Sequence, residues 1–400
     1  MNSIRLRTLD LFCGGGGSSW GARDAGAEIV CGVDAWDLAT ETYRFNFPSA
    51  LSINYTLDED SGSGMLGELG GIDLLLASPE CTNHTCAKGN RPRDENSKRT
   101  ARYLLNFARE LNPRWMVLEN VTQMRNWHGY DPLIDEIKGL GYNVLPQVLD
   151  AVDFGVPQKR KRLFLLCDRK AVPLEIPVAS IPPKPAYDIL DKEGTWGCSP
   201  LENGRRARPT LERAKRAIAS LGEGVPFLLV YYGSDGAGGW QKLDRPLRSL
   251  TTLDRFALVT WQGGTPMMRM LQPSELRRAM GLGGDYVMPF GVRRDKIKLL
   301  GNGVCPPVMK AIVQSLVQGG TNTQAVNPSN STKVAKDTSR PIIVPIALSN
   351  VVHSKSMGSG SNQSEQRKLS PYLKERLEQV KQIARTKPLR TSELLSMVIL

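Results

Sequence analysis

The sequence predicts an α/β protein: a doubly wound parallel sheet that carries a second, smaller domain and is followed by a partly disordered, partly helical tail. Three observations carry that expectation. Short apolar runs alternate with amphipathic stretches over the first ~165 residues, the pattern of successive βαβ units. The alternation breaks at the proline-rich run KAVPLEIPVASIPPKP and resumes further on. From Gly319 the composition turns to Ser, Asn, Thr and Gly, which does not bury enough apolar surface to order a chain.

In chain order, strands are expected at RTLDLFC, AEIVCGVD, IDLLLAS, RWMVLEN, NVLPQVLD and RLFLLCD. A helix is expected over Thr100–Leu111, because Tyr103, Leu104, Phe107 and Leu111 fall on one face. After the proline-rich run come one helix (Pro209–Leu221) and one apolar run (FLLVYYG). Strand and helix patterns then resume from RPLRSLTTLDRFALVTW to Val317. Within them PSELRRAMGL is a helix with Ser274 as N-cap and Gly281 at its end. The expected organisation is a sheet domain over 1–168, a grafted segment over 169–243, a segment over 244–319 that completes the first domain, and a basic tail over 320–400. No internal repeat occurs.

The 400 residues suffice for one large and one small domain. No window approaches ~18 consecutive apolar residues, and the N-terminus runs directly into a strand pattern. A cytoplasmic protein without a membrane segment is expected. Seven scattered cysteines, an odd number, suit free thiols better than a disulfide framework. Of the net charge of +12, residues 321–400 hold +7, from twelve basic and five acidic side chains. A basic balance favours polyanionic partners such as nucleic acid.

TLDLFCGGGGSSWGARDAG reads as strand, glycine turn and helix, and the next strand ends in Asp34. An acidic residue about twenty positions past such a turn meets ribose hydroxyls in nucleoside-binding βαβ units. Gly14 and Gly16 let the backbone approach a ligand closely. Phe12 and Trp36, at the ends of the same two strands, are placed to pack on an adenine face. A nucleoside cofactor is expected, and the turn alone leaves open whether it is a dinucleotide or S-adenosylmethionine.

The stretch ASPECTNHTC puts two cysteines and a histidine just past an expected central strand. A structural zinc site needs four ligands, usually in two pairs, and no second Cys-x-x-Cys pair exists, so no metal is expected. Cys81 to Cys86 is too long for a redox Cys-x-x-Cys pair. An inert buried cysteine is the commonest fate of a single thiol. Cys81, however, falls at the carboxyl end of an expected central strand and precedes a polar loop with Lys88, Arg91, Arg93 and Arg99. A thiol there is placed to react with an anionic partner.

Taken in order, DLFCGGGG, SPECT, LENV, FGVPQKRKRLF, RPLRSLTT, RMLQPSELRRAMGL and LLGNGVCPPV resemble the motifs of the DNA (cytosine-5)-methyltransferases, over roughly the first 320 residues. The resemblance implies a Rossmann-like methyltransferase sheet with an inserted target-recognition domain at 169–243, and S-adenosylmethionine as cofactor. It makes Cys81 the nucleophile that adds to carbon 6 of cytosine, and Glu119 the acid at ring nitrogen 3. Arg160 and Arg162, alternating on an extended segment, would hold the base carbonyl or neighbouring phosphates. Asn54, Pro79 and Asn302 join Phe12, Gly14, Gly16, Asp34 and Trp36 as cofactor contacts. Lys88, Arg91, Arg93 and Arg99 on the loop, and Arg205, Arg206 and Arg208 in the inserted domain, would bind DNA. The target base would be flipped out of the duplex.

Duplex DNA is therefore the expected partner of a monomer, with a cognate restriction endonuclease as a further one in a restriction-modification or phage-protection setting. The chain departs from the family at the nucleophile, where Pro79-Glu80-Cys81-Thr82 replaces the usual Pro-Pro-Cys-Gln. Two rival readings are a methyltransferase of transfer-RNA cytosine and a catalytically inactive DNA-binding regulator.

Overall fold

The computed structural model describes residues 6–80, 99–178, 181–232 and 238–321. Contacts divide the chain into two units, Met1–Val326 and Asn327–Leu400, and every described residue belongs to the first.

The main sheet has seven strands. They are β1 (Leu6–Leu11), β2 (Ala27–Asp34), β3 (Leu51–Asn54), β4 (Leu74–Ala77), β5 (Trp115–Asn120), β6 (Asn143–Asp150) and β7 (Lys161–Asp168). Their spatial order is β3-β2-β1-β4-β5-β7-β6. All six strands expected from the sequence form. β3, short and largely exposed, carries too little apolar signal to be seen in advance. Helices α1 (Gly17–Asp24), α2 (Asp37–Asn46), α3 (Leu104–Leu111) and α4 (Tyr130–Gly139) connect the strands. β4 and β5 lie mid-sheet and are buried at every position, as strands covered on both faces must be.

The expectation of a wholly parallel sheet needs one correction: β7 runs antiparallel to both β5 and β6. Only residues 151–160 separate β6 from β7, and a parallel crossover takes a dozen or more. The reversal matters for function. It brings the start of β7 to the carboxyl end of β5, pairing Asn120 with Leu163 and Glu119 with Phe164. In a parallel β7 the basic run before Leu163 would sit at the opposite edge of the sheet.

A second sheet, antiparallel throughout, contains β8 (Ser199–Pro200), β9 (Phe227–Val230), β10 (Trp240–Lys242), β11 (Phe256–Gln262) and β12 (Thr265–Met270), in the order β10-β9-β11-β12-β8. Helix α5 (Arg208–Leu221) buries Ala214 and Ala217 against it. This sheet runs past residue 243, the expected end of the inserted segment. The cause is local: Gly263 and Gly264, at φ 53° and 79°, close a two-residue hairpin that folds β12 back on β11.

Three helices complete the unit: α6 (Pro273–Ala279), α7 (Arg293–Asn302) and α8 (Pro306–Thr321). The N-cap of α6 is Gln272, which forms a reciprocal capping box with Glu275, rather than Ser274. The Ser274 hydroxyl instead donates to Asp191 at 2.7 Å. Among the described residues no helix is long and apolar enough to cross a membrane.

Candidate active site

The turn after β1 is built on left-handed backbone: Phe12 at φ 56°, Gly14 at 52° and Gly16 at 88°. Phe12 is one of two non-glycine residues at positive φ among the described residues, a strained conformation that the surrounding fold must hold. The glycines divide by what they face. A Cβ on Gly14 would meet nothing within 4 Å, so its backbone is open to the cleft. On Gly16 it would strike Phe47, and on Gly17 it would lie 2.3 Å from the Val304 carbonyl oxygen. Gly14 therefore lines the cleft, whereas Gly16 packs against Phe47 and does not line it.

That cleft, ≈ 320 Å³, opens at the carboxyl ends of the strands. At one end Asp34 accepts the Gly14 and Trp36 backbone N–H groups, each at 2.8 Å. Burial pushes its carboxyl above the ordinary range; the two N–H groups and the Lys298 ammonium pull it back. Phe12, Trp36 and Asn302 line the same cleft as expected. Asn54 does not: its amide donates to the Asp34 carbonyl at 3.4 Å, and the next residue, Tyr55, lines the cleft instead.

At the other end stands Glu119, 6% exposed at the end of β5. Burial raises its carboxyl, and Arg162 and then Arg160 oppose that rise. Arg162 Nε is 3.1 Å from Glu119 Oε1. Both arginines line the cleft, as their alternation implies, but their partners differ. Arg160 is 2% exposed, and its guanidinium donates to the carbonyls of Leu250, Gly301 and Gly303 at 2.9, 2.7 and 2.9 Å. Beside its place in the cleft wall, Arg160 thus ties the end of α7 to the start of β7. Arg162 is the arginine turned to the acid.

The segment leading into SPECT is equally well held. Ser78, Pro79 and Glu80 line the cleft, and the buried Asn120 amide donates to the Pro79 carbonyl at 3.3 Å. Cys81 follows Glu80 in sequence; with Cys86, Lys88, Arg91 and Arg93 it lies outside the described residues. Arg99 is exposed beside a separate hollow that Glu59 and Glu136 also line. Arg205, Arg206 and Arg208 lie in and just before the start of α5, and none lines the cleft. Arg206 donates to Ser199 Oγ at 2.7 Å, and Arg208 pairs with Glu212 one turn along its helix.

Sequence reasoning missed Ser18, Tyr55, Ser78 and Lys298, all in the cleft wall. For Lys298 a signal existed: it lies four residues before Asn302, hence on the same helix face.

Sheet order, the antiparallel β7 and a cleft with a nucleoside-type end and an acid end define a methyltransferase-like α/β fold. Residues 6–220, more than half of the chain, match the family model of C-5 cytosine-specific DNA methylases, and the chain belongs to that family. The cofactor of the family is S-adenosylmethionine. The type II methyltransferase M.XorII of Xanthomonas oryzae pv. oryzae is 30% identical over 175 residues, 42% of this chain and 41% of that protein. M.HgiDI of Herpetosiphon aurantiacus is 34% identical over 167 residues, 41% and 52% respectively. The matches thus span less than two thirds of either relative. A solved structure of a mutant Spodoptera frugiperda DNMT2 shares the fold, with a TM-score of 0.58 and 19% identity over 78% of this chain and 99% of that one.

The cleft fits the cofactor. The Asp34 carboxyl stands in the cleft wall as an acceptor suited to ribose hydroxyls, Gly14 leaves space, and two aromatic rings line the same cleft.

Proposed function

We propose that this chain methylates carbon 5 of a cytosine flipped out of a specific duplex DNA sequence. When bound, S-adenosylmethionine supplies an electrophilic methyl group. Phe12, Gly14, Asp34, Trp36 and Asn302 would hold it, with the ribose at Asp34. Carbon 5 of cytosine is a weak nucleophile until a thiolate adds to carbon 6. Cys81 makes that bond, and the ring electrons move toward nitrogen 3. Glu119 holds a proton at that nitrogen, a task suited to a carboxyl whose neutral form burial favours. Arg162 fixes the acid. Carbon 5, now electron-rich, would take the methyl group, the sulfonium leaving as a neutral thioether. Loss of the carbon 5 proton to water would then restore the ring double bond and expel Cys81 as a thiolate.

The observation that carries this reading is one cleft with Asp34 at its nucleoside end, Glu119 at the other, and the chain leading into Cys81 as part of its wall. The same reading makes the protein a monomeric, cytoplasmic modification enzyme whose biological partner is a restriction endonuclease of matching specificity.

The test is labelled-methyl transfer to duplex DNA, with transfer RNA as a second substrate, and bisulfite sequencing to locate the product. Wild-type protein should label DNA, and a duplex carrying 5-fluorocytosine should trap it covalently. Cys81→Ser should abolish both. Labelling of transfer RNA alone, or a fully active serine variant, would overturn the proposal.

A further inference from the structure

Lys298 and Asn302 share one face of α7, and both line the cleft. The Lys298 ammonium stands over the Trp36 ring, 4.3 Å from its centroid. It also acts on the Asp34 carboxylate against the effect of burial. Asp34 in turn holds the backbone N–H groups of Gly14 and Trp36. Positions 34, 36 and 298 thus form one linked group, although the last is more than 260 residues away in sequence.

We propose that Lys298 is a positioning residue for the adenosyl end of the cofactor: it braces the plane of Trp36, whose backbone N–H Asp34 holds, so that ring and carboxyl together receive a purine ribonucleoside. This rests on the reading of the cleft as the S-adenosylmethionine site. Among ionisable groups, Lys298 from α7 acts on Asp34. Asp10 from β1 and Cys13 from the glycine turn also face it, and the Asp34 charge raises both. Loss of the lysine leaves burial opposed by backbone N–H groups alone.

The experiment is calorimetric binding of S-adenosylhomocysteine to the full-length wild type, Lys298→Ala and Lys298→Arg from about pH 5.5 to 8.5, with melting temperatures as a folding control. An exposed cation over an aromatic ring contributes modestly, so the alanine variant should bind about fivefold more weakly at neutral pH. Its acid limb should move to higher pH, because an unassisted Asp34 takes up its proton sooner as the pH falls. Arginine should restore both, and in turnover the alanine effect should fall on the cofactor KM more than on kcat. A Lys298→Ala variant with wild-type affinity and an unmoved acid limb overturns the proposal. So does an arginine variant that melts like wild type and restores neither property. Wild-type protein that fails to bind S-adenosylhomocysteine overturns the reading of the cleft, and this proposal falls with it.

Discussion

The two ends of the cleft each hold a carboxyl whose affinity for protons burial raises, half-buried at Asp34 and fully buried at Glu119, yet they are built from different partners. Asp34 is held by two backbone N–H groups, fixed donors that reward negative charge and cannot swing away. Glu119 is held by the side chain of Arg162, with Arg160 behind it. The first arrangement suits a permanent acceptor for hydroxyl groups. The second suits a group that exchanges a proton during a reaction, because a mobile cation can follow the change in charge. On the proposed function, neighbouring donors rather than residue type separate a binding carboxyl from an acid–base carboxyl in one site.

The sharpest way to break this comparison is Glu119→Gln. On the proposed mechanism, methyl transfer should fall by about 10²- to 10³-fold, measured as single-turnover label incorporation. The fold should respond in the opposite sense. A folded-state pKa above the unfolded one means that stability contributed by Glu119 is present at low pH and is lost as the pH rises through the raised value. The glutamine variant should therefore gain melting temperature over wild type above the ordinary carboxylate range, and the gap should close on acidification. A wild-type protein more stable than Glu119→Gln at pH 8 would place the proton elsewhere.

The two arginines sharpen the contrast next. Arg160→Ala strips donors from three carbonyls in a buried position and should cost on the order of 3 kcal/mol in urea unfolding. Arg162→Ala should cost less at acid pH, because Glu119 can take up a proton when its partner is lost, and the cost should grow as the pH rises. Its loss should appear in the pH dependence of turnover, as a Glu119 that is neutral to still higher pH. Equal losses of stability in the two variants at acid pH would erase the distinction.

The last of these variants, Asp34→Asn, probes the other end of the cleft. It should weaken S-adenosylhomocysteine binding about tenfold in calorimetry, with the cofactor KM carrying more of the change than kcat. A loss mainly in kcat would mean that the two ends of the cleft are not separate in function.

Much of this was legible in the residues. Six strands, the glycine turn and Asp34 follow from apolar periodicity and from the backbone freedom of glycine, both local properties. Glu119 was legible as the end of an apolar run. The long-range facts were not. Gly16 looks identical to Gly14 in sequence, and only Phe47, packed behind it, shows that it serves packing. Asn54 and Tyr55 are neighbours on and just past an edge strand, and the strand direction decides which one reaches the cleft.

Composition and spacing alone determined the class of fold, the order of its motifs and the set of polar side chains available for chemistry, since these rest on interactions within a few residues. Assembly decided their division of labour. Arg160, just before β7, and Arg162, within it, both line the cleft, but the carbonyls of Leu250, Gly301 and Gly303 accept from the first while the second pairs with Glu119. A guanidinium takes the acceptors that packing brings to it, and those acceptors come from parts of the chain some ninety to one hundred and forty residues away.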